Sequence, residues 1–267
     1  MQSVFLIYAE FLKMSKKNRI RLFAKEELKE GDFYHTDESQ AHYLKNVMRL
    51  KIGDTLFLFD GQNGEFECKI FQISKKEIVD KIGQKVFDFE KSPDIWLIFA
   101  MLKKENTDLV VQKAVELGAS KIIPLQTEYC TRFNLKKERV RAQIIEAAEQ
   151  SRRQDLPAFE DLMTFDGLIE KWDQNRRLVY LNETGDGQGF ALVADKMLPP
   201  AAVLIGPEGG FSKKELEILK KLKYTVNVSL SKRILRAETA AVAALACWQA
   251  FAVIGNKGEN DESIDCR

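Results

Sequence analysis

From Asp94 onward the chain alternates between short apolar runs and longer stretches of helical periodicity. "DIWLIFAML" (Asp94–Leu102) reads as a buried strand. "NTDLVVQKAVELG" (Asn106–Gly118) reads as a helix: Asn106 caps its start, Val110, Ala114 and Leu117 share a face, and Gly118 stops it. "KIIPLQT" is a short strand. "LKKERVRAQIIEAAEQSRR" is a long charged helix that ends before Pro157. "RRLVYLNE" and "AAVLIG" are strands, "SKKELEILKKL" a helix, "YTVNVSL" a strand and "RAETAAVAALACWQAF" an Ala-rich helix. Parallel neighbours need a long crossover, and a helical crossover must pack on a sheet face. The alternation therefore predicts an α/β fold: a mostly parallel sheet with helices on both faces.

The preceding portion has a different period. "DTLFLFD" (Asp54–Asp60) and "EFECKIFQI" (Glu65–Ile73) are β-favouring runs separated by the turn-forming "GQNG". "KKEIVDKIG" supplies a third strand, and "SQAHYLKNVMRLKIGD" a short helix ending at Gly53-Asp54. A small β-barrel or meander is expected here. The polar "EKSPD" (Glu90–Asp94) marks the boundary. The expected organisation is an extension over 1–18, a β domain over 19–90, an α/β domain over 91–254 and a disordered tail over 255–267. Met14 is an alternative start.

Bulk properties exclude more than they assign. Net charge is only +1 over 267 residues, so nucleic-acid binding would have to come from local basic clusters. Four separated cysteines and two histidines, with no C-x-x-C pair, argue against a metal site and suit a reducing cytoplasm. No run approaches the roughly 20 apolar residues of a membrane span, and the start lacks the basic leader of a signal peptide.

Two stretches carry the chemistry. In "LIGPEGGFSKKEL" (Leu204–Leu216) a strand runs through a Gly-Pro-rich turn into a helix. The spacing fits neither a Walker loop nor a dinucleotide loop, and Glu208 would repel a phosphate. Ser212 and Glu215 form a capping box, a structural role. Two adjacent glycines after Pro-Glu exceed what a connection requires, and ligands of open α/β sheets bind at that edge. In "LSKRILRAETAAVAALA" (Leu230–Ala246) a loop with Arg233 and Arg236 leads into a helix opened by Glu238 and Thr239. Taken singly, these charges are a basic loop and a dipole-complementing helix start. Two such loops after consecutive parallel strands lie at one edge.

These two motifs together resemble the paired signature of the SPOUT-class ribosomal RNA uridine-N3 methyltransferases. "HYLKNVMRLKIGD", "DLVVQKAVELG", "PLQTEYC" and "EAAEQSRR" are similar to the same family in the same order, so the likeness runs from about Arg19 to Ala252. The region Leu181–Ala191 departs from the pattern. The resemblance implies a C-terminal trefoil knot and a PUA-like N-terminal RNA-binding domain. It also implies a homodimer acting on small-subunit ribosomal RNA, and S-adenosylmethionine as methyl donor. By motif match the donor would lie against Leu181, Asn182 and Glu183, against Ile205, Gly206, Pro207, Glu208, Gly209 and Gly210, and against Ser229, Leu230, Ser231, Ile234, Leu235, Arg236 and Thr239. Arg236 is the implied stabiliser of charge on the uracil. Glu208 and Glu238 are both candidates for the base, and the choice stays open. Arg19, Arg21, Arg49, Lys51, Arg132, Arg152 and Arg153 are candidate phosphate contacts. The alternatives are another SPOUT activity such as 2′-O-ribose methylation, an RNA-binding protein with an inactive knot, and a nucleotide-dependent enzyme on a doubly wound sheet.

Overall fold

The structure is a computed structural model that describes residues 19–130, 135–182, 186–193 and 197–255, the last four by backbone alone. The expected extension over 1–18 and almost all of the tail lie outside these residues. The chain divides between Lys91 and Ser92 into two units.

The first unit is a curled five-stranded sheet. Its strands are β1 (Arg21–Phe23), β2 (Phe33–His35), β3 (Thr55–Phe59), β4 (Glu65–Ile73) and β5 (Ile78–Phe87), in the order β1-β3-β4-β5-β2. Helix α1 (Glu38–His42) has Asp37 at its N-cap, where Gln40 completes a capping box, and it runs on as a π-helical turn over Tyr43–Val47. Side-chain alternation sorts the strands into two faces. Leu22, Leu56, Leu58, Phe66, Cys68, Ile70, Ile78 and Ile82 form the core on the inner face. Burial pushes the Cys68 thiol up to about 12, so it stays a neutral packing group.

The second unit is the parallel sheet. It contains β6 (Ile95–Ala100), β7 (Lys121–Gln126), β8 (Ala158–Phe159), β9 (Met163–Thr164), β10 (Arg177–Leu181), β11 (Gln188–Gly189), β12 (Ala201–Ile205) and β13 (Thr225–Ser229). The order is β11-β13-β10-β12-β6-β7-β8, with β9 beside β7, and every ladder described is parallel. Pro124 sits in β7 without breaking it. β8 pairs with Lys121 and Ile122 while β9 pairs with Leu125 and Gln126, so the missing N–H falls in the gap between them.

The helices are α2 (Lys104–Glu116), α3 (Lys137–Ser151), α4 (Phe165–Glu170), α5 (Lys213–Lys221) and α6 (Ala237–Gly255). One sheet face packs Ile98, Tyr180 and Leu204 against Phe165, Leu168 and Leu219 of α4 and α5. On the other face α6 reaches β12 and α2, and α2 packs on α3. Gly118 has φ +80° and ends α2 in the left-handed conformation a β-carbon disfavours. Asn106 does not cap α2. The helix begins earlier, at Lys104, and Lys103 at the N-cap position makes no side-chain cap. Thr107 instead donates its hydroxyl to Leu102 O, which anchors the first turn to the preceding strand. Among the described residues no helix is long and apolar enough to cross a membrane.

One residue of the first unit opposes folding at neutral pH. Asp80 is wholly buried, and neither carboxylate oxygen has a hydrogen-bond partner among the described residues. Burial pushes its pKa from 3.8 up to about 7. The folded state therefore holds a proton that the unfolded chain releases. Stability falls as pH rises from about 4 to about 7 and is level above, by roughly 1.4 kcal/mol per pH unit across that window. Asp80→Asn removes this dependence. In urea unfolding at pH 4 to 8, the variant's advantage over wild type should grow up to about pH 7 and then hold constant. Parallel profiles for the two proteins would contradict the assignment.

Candidate functional site

Three strands that are neighbours in the sheet, β13, β10 and β12, end level with one another. Leu181 pairs with Ile205 on one side and Val228 on the other. Their following loops meet around a cavity of about 970 Å³. Such crevices beyond the carboxyl ends of parallel strands are where open α/β sheets bind ligands.

Each loop contributes part of the wall. Leu181 and Asn182 come from the end of β10. Ile205, Gly206, Pro207, Glu208 and Gly210 come from the turn after β12. Ser229, Leu230, Ser231, Ile234, Leu235 and Arg236 come from the loop between β13 and α6. Gly210 has φ +71°, and its N–H donates to Pro207 O at 2.9 Å to close the turn. The exposed Gly209 is not part of the wall, and a β-carbon there would lie 3.3 Å from Tyr129 Cβ. Thr239 is exposed on α6 away from the wall, and Glu183 lies outside the described residues.

The turn is held from behind by one carboxylate. Ser212 Oγ accepts the Glu215 N–H at 3.3 Å, and Glu215 Oε2 accepts the Ser212 N–H at 2.8 Å. Glu215 Oε1 also accepts the Glu128 N–H at 3.0 Å. The capping box read from sequence thus reaches the loop after β7 as well, and that loop places Tyr129 against Gly209.

Sequence reading missed another part of the wall. Gly187, Gly189, Phe190 and Ala191 line it, as do Phe211, Cys247 and Phe251. Gly187 lies so close to β13 that a β-carbon would be 2.6 Å from Val228 C, and the glycines of "GDGQG" are the signal that was available. Phe190 stacks on Phe251 with centroids 5.7 Å apart, a contact across 61 positions that no local pattern reveals.

The charged groups of the described wall are Glu208, Lys232, Arg233 and Arg236, so cations outnumber carboxylates. Arg236 is exposed at the start of α6, and its carbonyl accepts the Ala240 N–H at 2.8 Å. Its side chain makes no ion pair with another described residue. Guanidinium and helix N-terminus together favour an electron-rich group in the cavity. Glu238 does not line the cavity. It is buried in the first turn of α6, and its Oε2 has no partner among the described residues. Of the two candidate bases, only Glu208 faces the cavity. Among the described residues no three His, Cys, Asp or Glu side chains are grouped to hold a metal ion.

The candidate phosphate contacts separate into two sets. Arg49 and Lys51 are exposed, and Arg49 adopts φ +57° just after the π-helical turn, an uncommon conformation for a side-chain-bearing residue. Arg152 is also exposed, with φ +61° at the end of α3. By contrast, Arg19 and Arg21 are committed internally: both reach Glu65 at 2.6 Å, and each lies 3.7 Å over a ring, Phe57 or Phe59. Arg153 is buried, bonded to Asp155 at 2.8 Å and to Val115 O at 3.1 Å. These three do not form an open phosphate face, because each guanidinium already faces a carboxylate inside the protein. Arg132 lies outside the described residues.

An RNA methyltransferase domain family matches residues 90–249, and an RNA methyltransferase PUA domain matches residues 36–82. The chain is 36% identical over 211 residues to ribosomal RNA small subunit methyltransferase E of Rickettsia conorii, which covers 78% of this chain and 86% of that protein. A Legionella pneumophila methyltransferase solved with bound SAM is 30% identical, with TM-score 0.78, covering 88% of this chain and 98% of that one. A ribosomal RNA small subunit methyltransferase E from Neisseria gonorrhoeae, bound to S-adenosyl methionine, is 26% identical with TM-score 0.79, covering 87% and 98%.

Glu215→Ala removes a capping partner and leaves the Glu128 N–H without its acceptor. The expected loss is about 2 kcal/mol of unfolding free energy. Glu217→Ala, exposed on the same helix, should stay within about 0.5 kcal/mol of wild type. Urea midpoints at constant m-value make the comparison. Equal effects at the two positions would remove Glu215 from its bridging role.

Proposed function

The chain belongs to the RNA methyltransferase family, and from that premise we propose that it methylates N3 of a uridine in small-subunit ribosomal RNA with S-adenosylmethionine as donor. The observation that carries the reading is the three-loop cavity at the carboxyl edge of the sheet, with backbone walls at its glycines and apolar sides at Leu181, Ile205, Leu230 and Leu235. Such a slot fits a flat adenine and a short amino-acid chain, and Glu208 and the backbone offer partners for their polar groups. S-adenosylmethionine supplies an electrophilic methyl group when bound. The three wall cations suit an acceptor that becomes anionic, because uridine N3 must lose its proton before it attacks. Glu208 is our choice for receiving that proton. Arg236, whose fork matches a pair of uracil oxygens, is our choice for holding the ring as negative charge spreads from N3. N3 lies on the pairing edge of the base, so the base must be unpaired or extruded.

The same reading includes a homodimer and threading of the C-terminal segment into a trefoil knot. The dimer is supported by exposed apolar side chains on the second unit, among them Leu192, Leu198, Ile234 and Phe251. The knot is supported by the crossed order β13-β10-β12 and by the packing of α6 on β12. A cytoplasmic site of action agrees with the unpaired state of Cys68, Cys130 and Cys247. RNA contact through the first unit would then run through Arg49 and Lys51.

Ribosomal RNA from a strain lacking the protein should have lost one N3-methyluridine by mass spectrometry. Loss of a 2′-O-methyl group instead would select the alternative chemistry. Arg236→Ala and Arg236→Lys should each lower turnover at least about a hundredfold, the scale of removing one charge-stabilising donor. Donor affinity, measured by calorimetry, should change little. A lysine variant with near-normal turnover would sink the bidentate role. Removing both Arg49 and Lys51 should flatten the salt dependence of RNA binding by about 0.7 to 0.9 in log–log slope per lost contact.

A further inference from the structure

The outer face of the first unit carries an aromatic pair with no role in its core. Phe33 on β2 is 45% exposed and Phe71 on β4 is 58% exposed. Their rings meet at 5.1 Å between centroids with planes tilted by 60°. The neighbours Tyr34 and Ile70 face inward and belong to the core, so the core does not draw these rings outward. The backbone does. Ile70 pairs with Asp80 and Gln72 with Val79, and the register shifts between them. Phe71 is therefore the extra residue of a β-bulge, a device that re-aims one side chain.

Lysines complete the surface. Phe33 pairs with Lys81, and Lys81 pairs with Lys69, so the three form one row across β2, β5 and β4. Lys81 Nζ lies 4.2 Å from the Phe33 centroid and donates to Gly31 O. Lys69 is exposed. Like charges directly opposite on antiparallel strands destabilise a sheet, and an anion between them removes the repulsion. An exposed ring pair beside two facing cations matches a flat aromatic group that carries a negative charge on a short tether.

We propose that Phe33, Phe71, Lys69 and Lys81 form a stacking platform for an unpaired base of single-stranded RNA, with its phosphate at the lysine pair. This rests on the reading that the protein acts on RNA, and it adds a contact that would hold a nucleotide other than the one modified. A partner protein would use the rings without needing the paired lysines, so the charge complementarity favours RNA.

The test uses the full chain with two labelled probes: single-stranded RNA of about ten nucleotides, within the usual range of such sites, and a ribose-phosphate oligomer of equal length without bases. The joint variant Phe33→Ala, Phe71→Ala should bind the RNA about 5- to 150-fold more weakly, the range for losing one stacked base. It should bind the abasic oligomer like wild type and keep the wild-type melting temperature. Phe71→Trp should keep RNA affinity and, as the first tryptophan in residues 1–91, be quenched on binding. An unchanged RNA affinity in the alanine variant would overturn the platform. So would equal losses on both probes, or a fall in self-association by light scattering with RNA binding intact. A wild type that binds and methylates RNA while the alanine variant is unaffected would overturn the platform alone. A wild type that binds neither probe would overturn the RNA reading with it.

Discussion

The site depends on a register. β10 is bonded on one side to β12 and on the other to β13, and Leu181 is level with Ile205 and Val228. If one of these strands slipped by a residue, each of its side chains would turn to the opposite face and its loop would shift relative to the other two. The opposite end of the sheet is fixed as firmly. Arg176, buried just before β10, donates to Asp94 O and to Ala201 O, both at 3.2 Å, and pairs with the Asp94 carboxylate. The starts of β6, β10 and β12 are thus tied by one guanidinium, and their ends are left to the loops.

Much of this arrangement was legible along the chain. The strands of the second unit were visible as apolar runs, because a strand buried on both faces has no polar alternation to obscure it. The Gly-Pro turn and the Arg-rich loop could be assigned to one edge because both follow parallel strands. Ser212 and Glu215 declared a capping box by spacing alone. The short strands β8, β9 and β11 were not legible, since two residues carry no period. Nor was the Phe190–Phe251 stack. The contact of Glu215 with Glu128, 87 positions apart, was equally hidden.

Charge was the least legible property. A sequence counts arginines but does not say what they face. Arg19 and Arg21 read as open cations, yet Glu65, more than forty positions away, holds both. The first unit therefore has two kinds of buried acid. Glu65 sits between two guanidiniums, those of Arg19 and Arg21. Asp80 has no partner among the described residues and makes the inner face sensitive to protons. Burial alone therefore does not decide what a carboxylate does.

The crossed strand order also bears on the moment of synthesis. β10 leaves the ribosome before either of its sheet neighbours, because β12 follows 20 positions later and β13 later still. Until Ser229 has emerged, one edge of β10 has no partner, and only two of the three cavity loops exist. A chain cut short between Ile205 and Ser229 carries most of the sheet but lacks the third wall of the cavity. The cavity is therefore complete only once the loop that follows β13 has joined the other two.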